Sequence, residues 1–179
     1  KFGLNLNIDG KIVNTNNLYF TSIKNGNSMN MRANYSADKY IEFVYDLKDA
    51  SRNVSFNVNL NGLNGVLQGN TVSLNWEATL LQQEKSAVKE QEHASPYYKY
   101  IEQNPDYLSI GKDEKLDLTE GKIEWFSFKQ HFFSAVLIPA LPFEKGNLEV
   151  KVSTEPGKIK WYGANMQLPY SQLATQSYA

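Results

Sequence analysis

His93, His131 and Glu124 are the side chains of this 179-residue chain with the most obvious capacity to break a bond. A mutarotase-like or glycosidase-like site needs positioned acids and bases, commonly a histidine or two carboxylates facing one substrate. His93 falls in the charged stretch 90–95 and His131 in a strand connection, so ordinary surface or capping roles are expected of both. Glu124 sits in an aromatic tract at a position expected to face outward. Asp113, Glu114, Asp117 and Glu120 crowd four carboxylates together, but without the Asp-x-Asp-x-Asp-Gly order that gathers oxygens around calcium. A solvated loop is the expectation there. The chain has no cysteine, which removes disulfides, thiolate zinc sites, iron–sulfur ligation and a cysteine nucleophile. It also lacks a glycine-rich phosphate loop, a nucleophile elbow and a His-Glu-x-x-His sequence. No enzymatic activity, cofactor or metal is expected.

Aromatic residues offer a second kind of chemistry, since tryptophan and tyrosine can line a groove for a sugar or an extended polypeptide. Trp76 and Trp125 lie within buried-strand patterns and are assigned to the core. Trp161 and Tyr162 precede Gly163 and a polar end, and form the candidate binding surface. Lys and Arg total 18 against 19 Asp and Glu, a formal charge of -1, so no bulk attraction to nucleic acid is built in. The triplets Asn34-Tyr35-Ser36 and Asn53-Val54-Ser55 match the glycosylation sequon but are read as chance in an Asn-rich chain.

The elements that must position these residues read as strands. Phe2, Leu4, Leu6 and Ile8 alternate with polar residues, and Asp9-Gly10 supplies a two-residue hairpin turn before Lys11-Ile12-Val13. A second turn, Asn25-Gly26-Asn27, separates residues 19–23 from 28–33. Further strands are expected over Tyr40–Leu47, over Val54–Leu60 and from Val72 to Leu80. Residues 82–92 carry good helix formers but only Ala87 and Val88 as apolar side chains, so a short exposed helix or loop is expected. Ser95-Pro96 opens an extended segment, Tyr97–Ile101. Residues 113–122 read as a surface connection into Ile123–Phe128, and 144–147 as a turn before Leu148, Val150 and Val152. A last strand is expected over Lys158–Tyr162, with Tyr170–Ala179 a loop or the approach to a following membrane helix. About a dozen strands with regular turns indicate an all-β sandwich or barrel. No apolar run reaches the roughly 20 residues that span a bilayer. The chain has no initiator Met and begins inside a strand pattern, so residues 1–179 are expected to be one domain excised from a longer protein.

The tract Lys122–Pro139, KIEWFSFKQHFFSAVLIP, packs nine large apolar residues into two strands joined near Lys129-Gln130-His131. Such density predicts a central, doubly buried position with Trp125, Phe126, Phe128, Phe132 and Phe133 in the core. Its wording resembles the large periplasmic domain of the YidC membrane protein insertases: a tryptophan-led strand, Lys129-Gln130, the pair Phe132-Phe133, the small step Ser134-Ala135 and the exit Ile138-Pro139. Pro96-Tyr97-Tyr98-Lys99-Tyr100 and Tyr107-Leu108-Ser109-Ile110 stand in the family's order before it. Leu74-Asn75-Trp76 is similar to the preceding core strand. The Asn-, Lys- and Tyr-rich usage looks most like the Bacteroidota branch.

The resemblance implies a two-layer β-supersandwich, like that of galactose mutarotases, on the periplasmic face of the inner membrane and without catalysis. It further implies contacts with membrane helices of the same protein, with Sec translocon components and with nascent inner-membrane proteins. The alternative reading is a secreted or surface sugar- or peptide-binding sandwich.

Overall fold

A computed structural model describes residues 1–48, 50–171 and 175–178. In chain order its strands are β1 (Phe2–Ile8), β2 (Lys11–Asn14), β3 (Thr21–Asn25), β4 (Ser28–Asn34), β5 (Tyr40–Leu47), β6 (Val54–Asn61) and β7 (Thr71–Leu81). One short helix, α1 (Ala87–Glu92), precedes β8 (Ser95–Tyr100), β9 (Asp106–Tyr107), β10 (Glu114–Leu118), β11 (Ile123–Lys129) and β12 (Ser134–Leu137). β13 (Lys145–Val152), β14 (Lys158–Pro169) and β15 (Thr175–Tyr178) follow. The protein is mostly β, with three antiparallel sheets. Among the described residues no helix is long and apolar enough to cross a membrane.

Turn chemistry sets the hairpins as the sequence predicts. Asp9 and Gly10 take positive φ values of 49° and 78°, so β1 and β2 pair with Ile8 opposite Lys11. Gly26, at φ 58°, turns β3 into β4 with Asn25 opposite Ser28. Differences concentrate where one strand face is polar. Residues 113–122, expected to be a surface connection, contain β10, which forms an edge against β13 and buries Leu118. The turn expected at 144–147 is already strand from Lys145. The last expected strand extends to Pro169, because its partner β13 supports it from Val152 back to Lys145. Within Tyr170–Ala179, Thr175–Tyr178 pairs with β6; residues 172–174 and 179 lie outside the described set.

The chain divides into two compact units. One comprises Lys1–Leu4 with Ser73–Leu168. It holds the strand order β10-β13-β14-β7, with the Glu77 N–H donating to the Lys1 carbonyl at 2.8 Å, and the separate sheet β12-β11-β8-β9. Their rings meet in one core: Trp76 packs 4.5 Å from Phe128 and 5.9 Å from Phe126, while Phe128 lies 5.3 Å from Tyr162. Phe126, Phe143, Leu148, Val150, Ile159 and Met166 are fully buried around them.

The other unit comprises Asn5–Val72 with Pro169–Ala179. It contains the β1–β2 hairpin and the sheet β15-β6-β5-β4-β3. Alternation gives this sheet an apolar face, where Phe43 stacks on Phe20 and meets Phe56 edge-on. Its other face is polar and carries Glu42 opposite Arg32 and Asn59.

Candidate functional site

β11 and β12 form a hairpin closed by residues 130–133, with the Gln130 N–H donating to the Phe133 carbonyl at 2.8 Å. β12 is the edge of its sheet. This position overturns the expected burial of Phe132 and Phe133, which are 68% and 69% exposed. They occupy the connecting turn, which the Gln130–Phe133 bond closes beyond the ends of β11 and β12. Val136, Ile138 and Leu141 are exposed as well. The tract predicted to be doubly buried therefore has one buried strand, β11, and one open strand.

Alternation fixes which backbone groups remain open. The bonded pair Gln130/Phe133 makes Lys129/Ser134 and Ser127/Val136 non-bonded pairs, so the N–H and C=O of Ser134 and Val136 turn away from β11. On the outer face, Tyr97 lies opposite both Ser127 and Tyr107, and the two tyrosine rings are 5.1 Å apart. Trp125 shares this outer face because neighbouring residues of a strand point to opposite sides. It is half-buried there, whereas Phe126 and Phe128 face the core. Trp76 is half-buried, with its ring on the core side.

Beneath the turn lies a polar clamp. Gln130 Nε2 donates to Glu90 Oε1 at 2.6 Å and to the Leu81 carbonyl at 2.8 Å. Glu90 Oε2 accepts from the N–H groups of Gln83 and Glu84 at 2.9 and 3.1 Å. Burial of Glu90 raises its pKa, but the two backbone donors and the Gln130 amide outweigh it, leaving the carboxyl below its usual range. Lys129 Nζ donates to the His93 carbonyl at 2.8 Å, and the His93 and His131 rings stack 4.5 Å apart at 12°. Surface or capping roles are expected of both histidines: His93 is the C-cap of α1, and the structure also makes the two neighbours. Their near-parallel planes pack on each other, and His131 also stacks on Phe132.

Lys160 is a second buried charge. Its ammonium donates to the carbonyls of Gln91, Ala94 and Ile110 at 2.9, 2.5 and 2.6 Å, using all three hydrogens. Burial pushes its pKa down to about 8. The cage joins the end of α1 and the 108–112 connection to β14. Glu90 and Lys160 escaped sequence reasoning because a charged residue in a helix or strand reads as solvated. Lys160 had one available signal: it shares a face with Tyr162, Ala164 and Met166.

Other predicted residues separate into structural roles. Tyr162 is fully buried, its hydroxyl donating to the Lys129 carbonyl at 3.0 Å, so it cannot serve as the expected binding surface. Its ring lies on the core face of β14, 5.3 Å from that of Phe128, which places this side chain in the interior. Trp161 is half-buried, with Lys151 Nζ 4.8 Å from its ring centre. Glu124 forms a partly exposed ion pair with Lys99 at 2.6 Å. Asp113 accepts from the Val152 N–H at 2.8 Å, and Glu114 accepts from the Ser109 N–H. These bonds tie down backbone. Among the described residues, no group of three or more histidines or carboxylates is placed to hold a metal.

In the other unit, Glu42 accepts two bonds from Arg32, at 2.8 and 3.1 Å, and one from Asn59 at 3.2 Å. Burial opposes ionisation of Glu42, and these donors more than offset it, lowering its pKa. The Arg32 guanidinium also lies 3.9 Å from the Tyr40 ring centre. The cluster satisfies itself.

These features define a mostly β region with three antiparallel sheets, and the exposed aromatic hairpin is its outstanding surface. Comparison with known proteins then supplies the lineage. The chain is 32% identical over 164 residues to the membrane protein insertase YidC of Parabacteroides distasonis, covering 89% of this chain and 26% of that protein. It is 33% identical over 166 residues to the Bacteroides fragilis insertase and 34% identical over 171 residues to that of Phocaeicola vulgatus, covering 27% of each. No family model matches it. The chain is homologous to a segment of the YidC membrane protein insertases of Bacteroidota. It spans about a quarter of the length of these curated relatives.

Proposed function

We propose that residues 1–179 form the periplasmic domain of a YidC insertase, with a β-supersandwich architecture. The domain works without catalysis at the periplasmic face of the inner membrane. Its contribution is structural: it spaces and docks parts of the insertion machinery and so assists the insertion and folding of inner-membrane proteins. Its proposed partners are the membrane helices of its own protein, Sec translocon components and nascent membrane proteins. The observation that carries this reading is the match of 89% of the chain, at 32% identity, to a protein named as a membrane protein insertase. The mostly β fold and the structural use of Glu124 and Asp113 support it.

The test is excision of residues 1–179 from the full-length insertase, with insertion of a membrane-protein client measured at matched insertase levels. Impaired insertion is expected. Unchanged insertion across several clients would overturn the assisting role. A reporter fused within the segment should be active only when exported, which tests the location separately.

A further inference from the structure

We propose that the open edge of β12 is a docking site for an extended, uncharged, apolar polypeptide segment, which adds to the sheet as a further strand. The backbone supplies the first argument. Ser134 and Val136 direct N–H and C=O groups away from β11 along an edge that no strand among the described residues occupies. Proteins commonly guard such an edge with charge or an internal proline. Ser134-Ala135-Val136-Leu137 has neither, and its proline, Pro139, comes only after the strand.

Charge complementarity identifies the occupant. From Gln130 to Phe143 there is no Asp, Glu, Lys or Arg, although 21% of the chain is charged. Phe133, Val136 and Ile138 expose apolar side chains along the same stretch. A charged partner strand would lose hydration here without gaining an opposite charge, whereas an apolar one buries surface and completes the ladder. A bilayer matches the side chains but offers nothing to the open N–H and C=O groups. The clamp from Glu90 through Gln130 holds the turn in place before a partner arrives, which limits the ordering cost of docking. Nascent membrane-protein segments have the required chemistry; that source rests on the reading above, but the pairing does not.

The test uses a labelled eight-residue peptide alternating valine and threonine, titrated against the 179-residue chain and followed by fluorescence anisotropy. Val136→Lys places a charge on the edge, and Val136→Pro removes an outward N–H without removing a β11 ladder bond. Saturable binding weakened at least tenfold by both variants, with unchanged unfolding midpoints, is expected. Equal binding by wild type and both variants would overturn the proposal. So would an absence of peptide binding, whether accompanied by Val136-dependent self-association, by binding to phosphatidylglycerol vesicles, or by neither. Because the titration uses the chain alone and the excision assay uses the full insertase, failure of one leaves the other result standing.

Discussion

Gln130 Nε2 donates to Glu90 Oε1 at 2.6 Å, joining positions 40 residues apart. One carboxylate thereby organises the backbone ahead of α1 and the turn of the β11–β12 hairpin, because its other oxygen accepts from Gln83 and Glu84. The turn that carries the exposed Phe132 and Phe133 is thus held by a polar clamp, with Phe132 also stacked on His131.

Glu90→Ala should destabilise the first unit by about 1–3 kcal/mol, the usual penalty for leaving buried donors unmet. The sign of the pH effect follows from the lowered pKa of Glu90 in the fold. Its contribution is fully present above the ordinary value near 4.5 and is lost as pH falls through the lower folded value. Urea denaturation from pH 7 to pH 3 should show the wild-type advantage over Glu90→Ala shrinking with acid. A difference constant with pH would show that the carboxylate charge is not what matters.

Lys160→Met keeps much of the side-chain volume but leaves the carbonyls of Gln91, Ala94 and Ile110 without the ammonium, an expected loss of about 1–3 kcal/mol at pH 7. Burial lowers the folded pKa to about 8, against 10.5 for an exposed lysine. Between these values the unfolded chain binds more protons, so the lysine's own contribution to stability rises with pH across that window. The difference between wild type and Lys160→Met, followed by denaturation from pH 7.5 to 10.5, should carry this slope. A flat difference would mean that Lys160 titrates alike in both states.

The alternating pattern made the strands legible: residues 40–47 and 54–60 each show one apolar and one polar face, and Asp9-Gly10 and Gly26 mark turns that few other residues form without strain. Depth was less legible. Phe132 and Phe133 look like core by type, yet they lie in a turn beside an edge strand, and edge position depends on pairing between distant segments. β10 was hidden for a related reason, since Lys115 and Asp117 present an exposed charged face, Glu114 opens the other face, and only Leu118 is fully buried. The Glu90 and Lys160 networks depend on partners up to 40 and 69 positions away, separations at which periodicity carries no signal.

Phe126 and Phe133 should respond oppositely to truncation. Phe126 is fully buried among Trp76, Phe128 and Phe143, so Phe126→Ala should cost about 3–5 kcal/mol. Phe133 is mostly exposed, and Phe133→Ala should fall within about 0.5 kcal/mol of wild type. Paired urea titrations read both values. A large loss at Phe133 would place its ring against a surface that the fold does not show.

Two glycines separate packing from backbone strain. A Cβ on Gly146 would stand 2.6 Å from the Asn165 carbonyl oxygen of β14 and overlap the Met166 sulfur. The carbonyl is part of a paired strand and cannot swing aside, so Gly146→Ala should destabilise by about 1–3 kcal/mol. Gly157 has open space around its missing Cβ but takes φ +78° in the turn between β13 and β14. Gly157→Ala should therefore lose only about 1 kcal/mol, through conformation alone. Gly157→Asn should recover part of that loss, since asparagine tolerates the left-handed region, while Gly146→Asn should be worse than Gly146→Ala. Unfolding midpoints of the four variants test the distinction: equal losses at the two sites, or a rescue by asparagine at Gly146, would contradict close strand packing as the reason for that glycine.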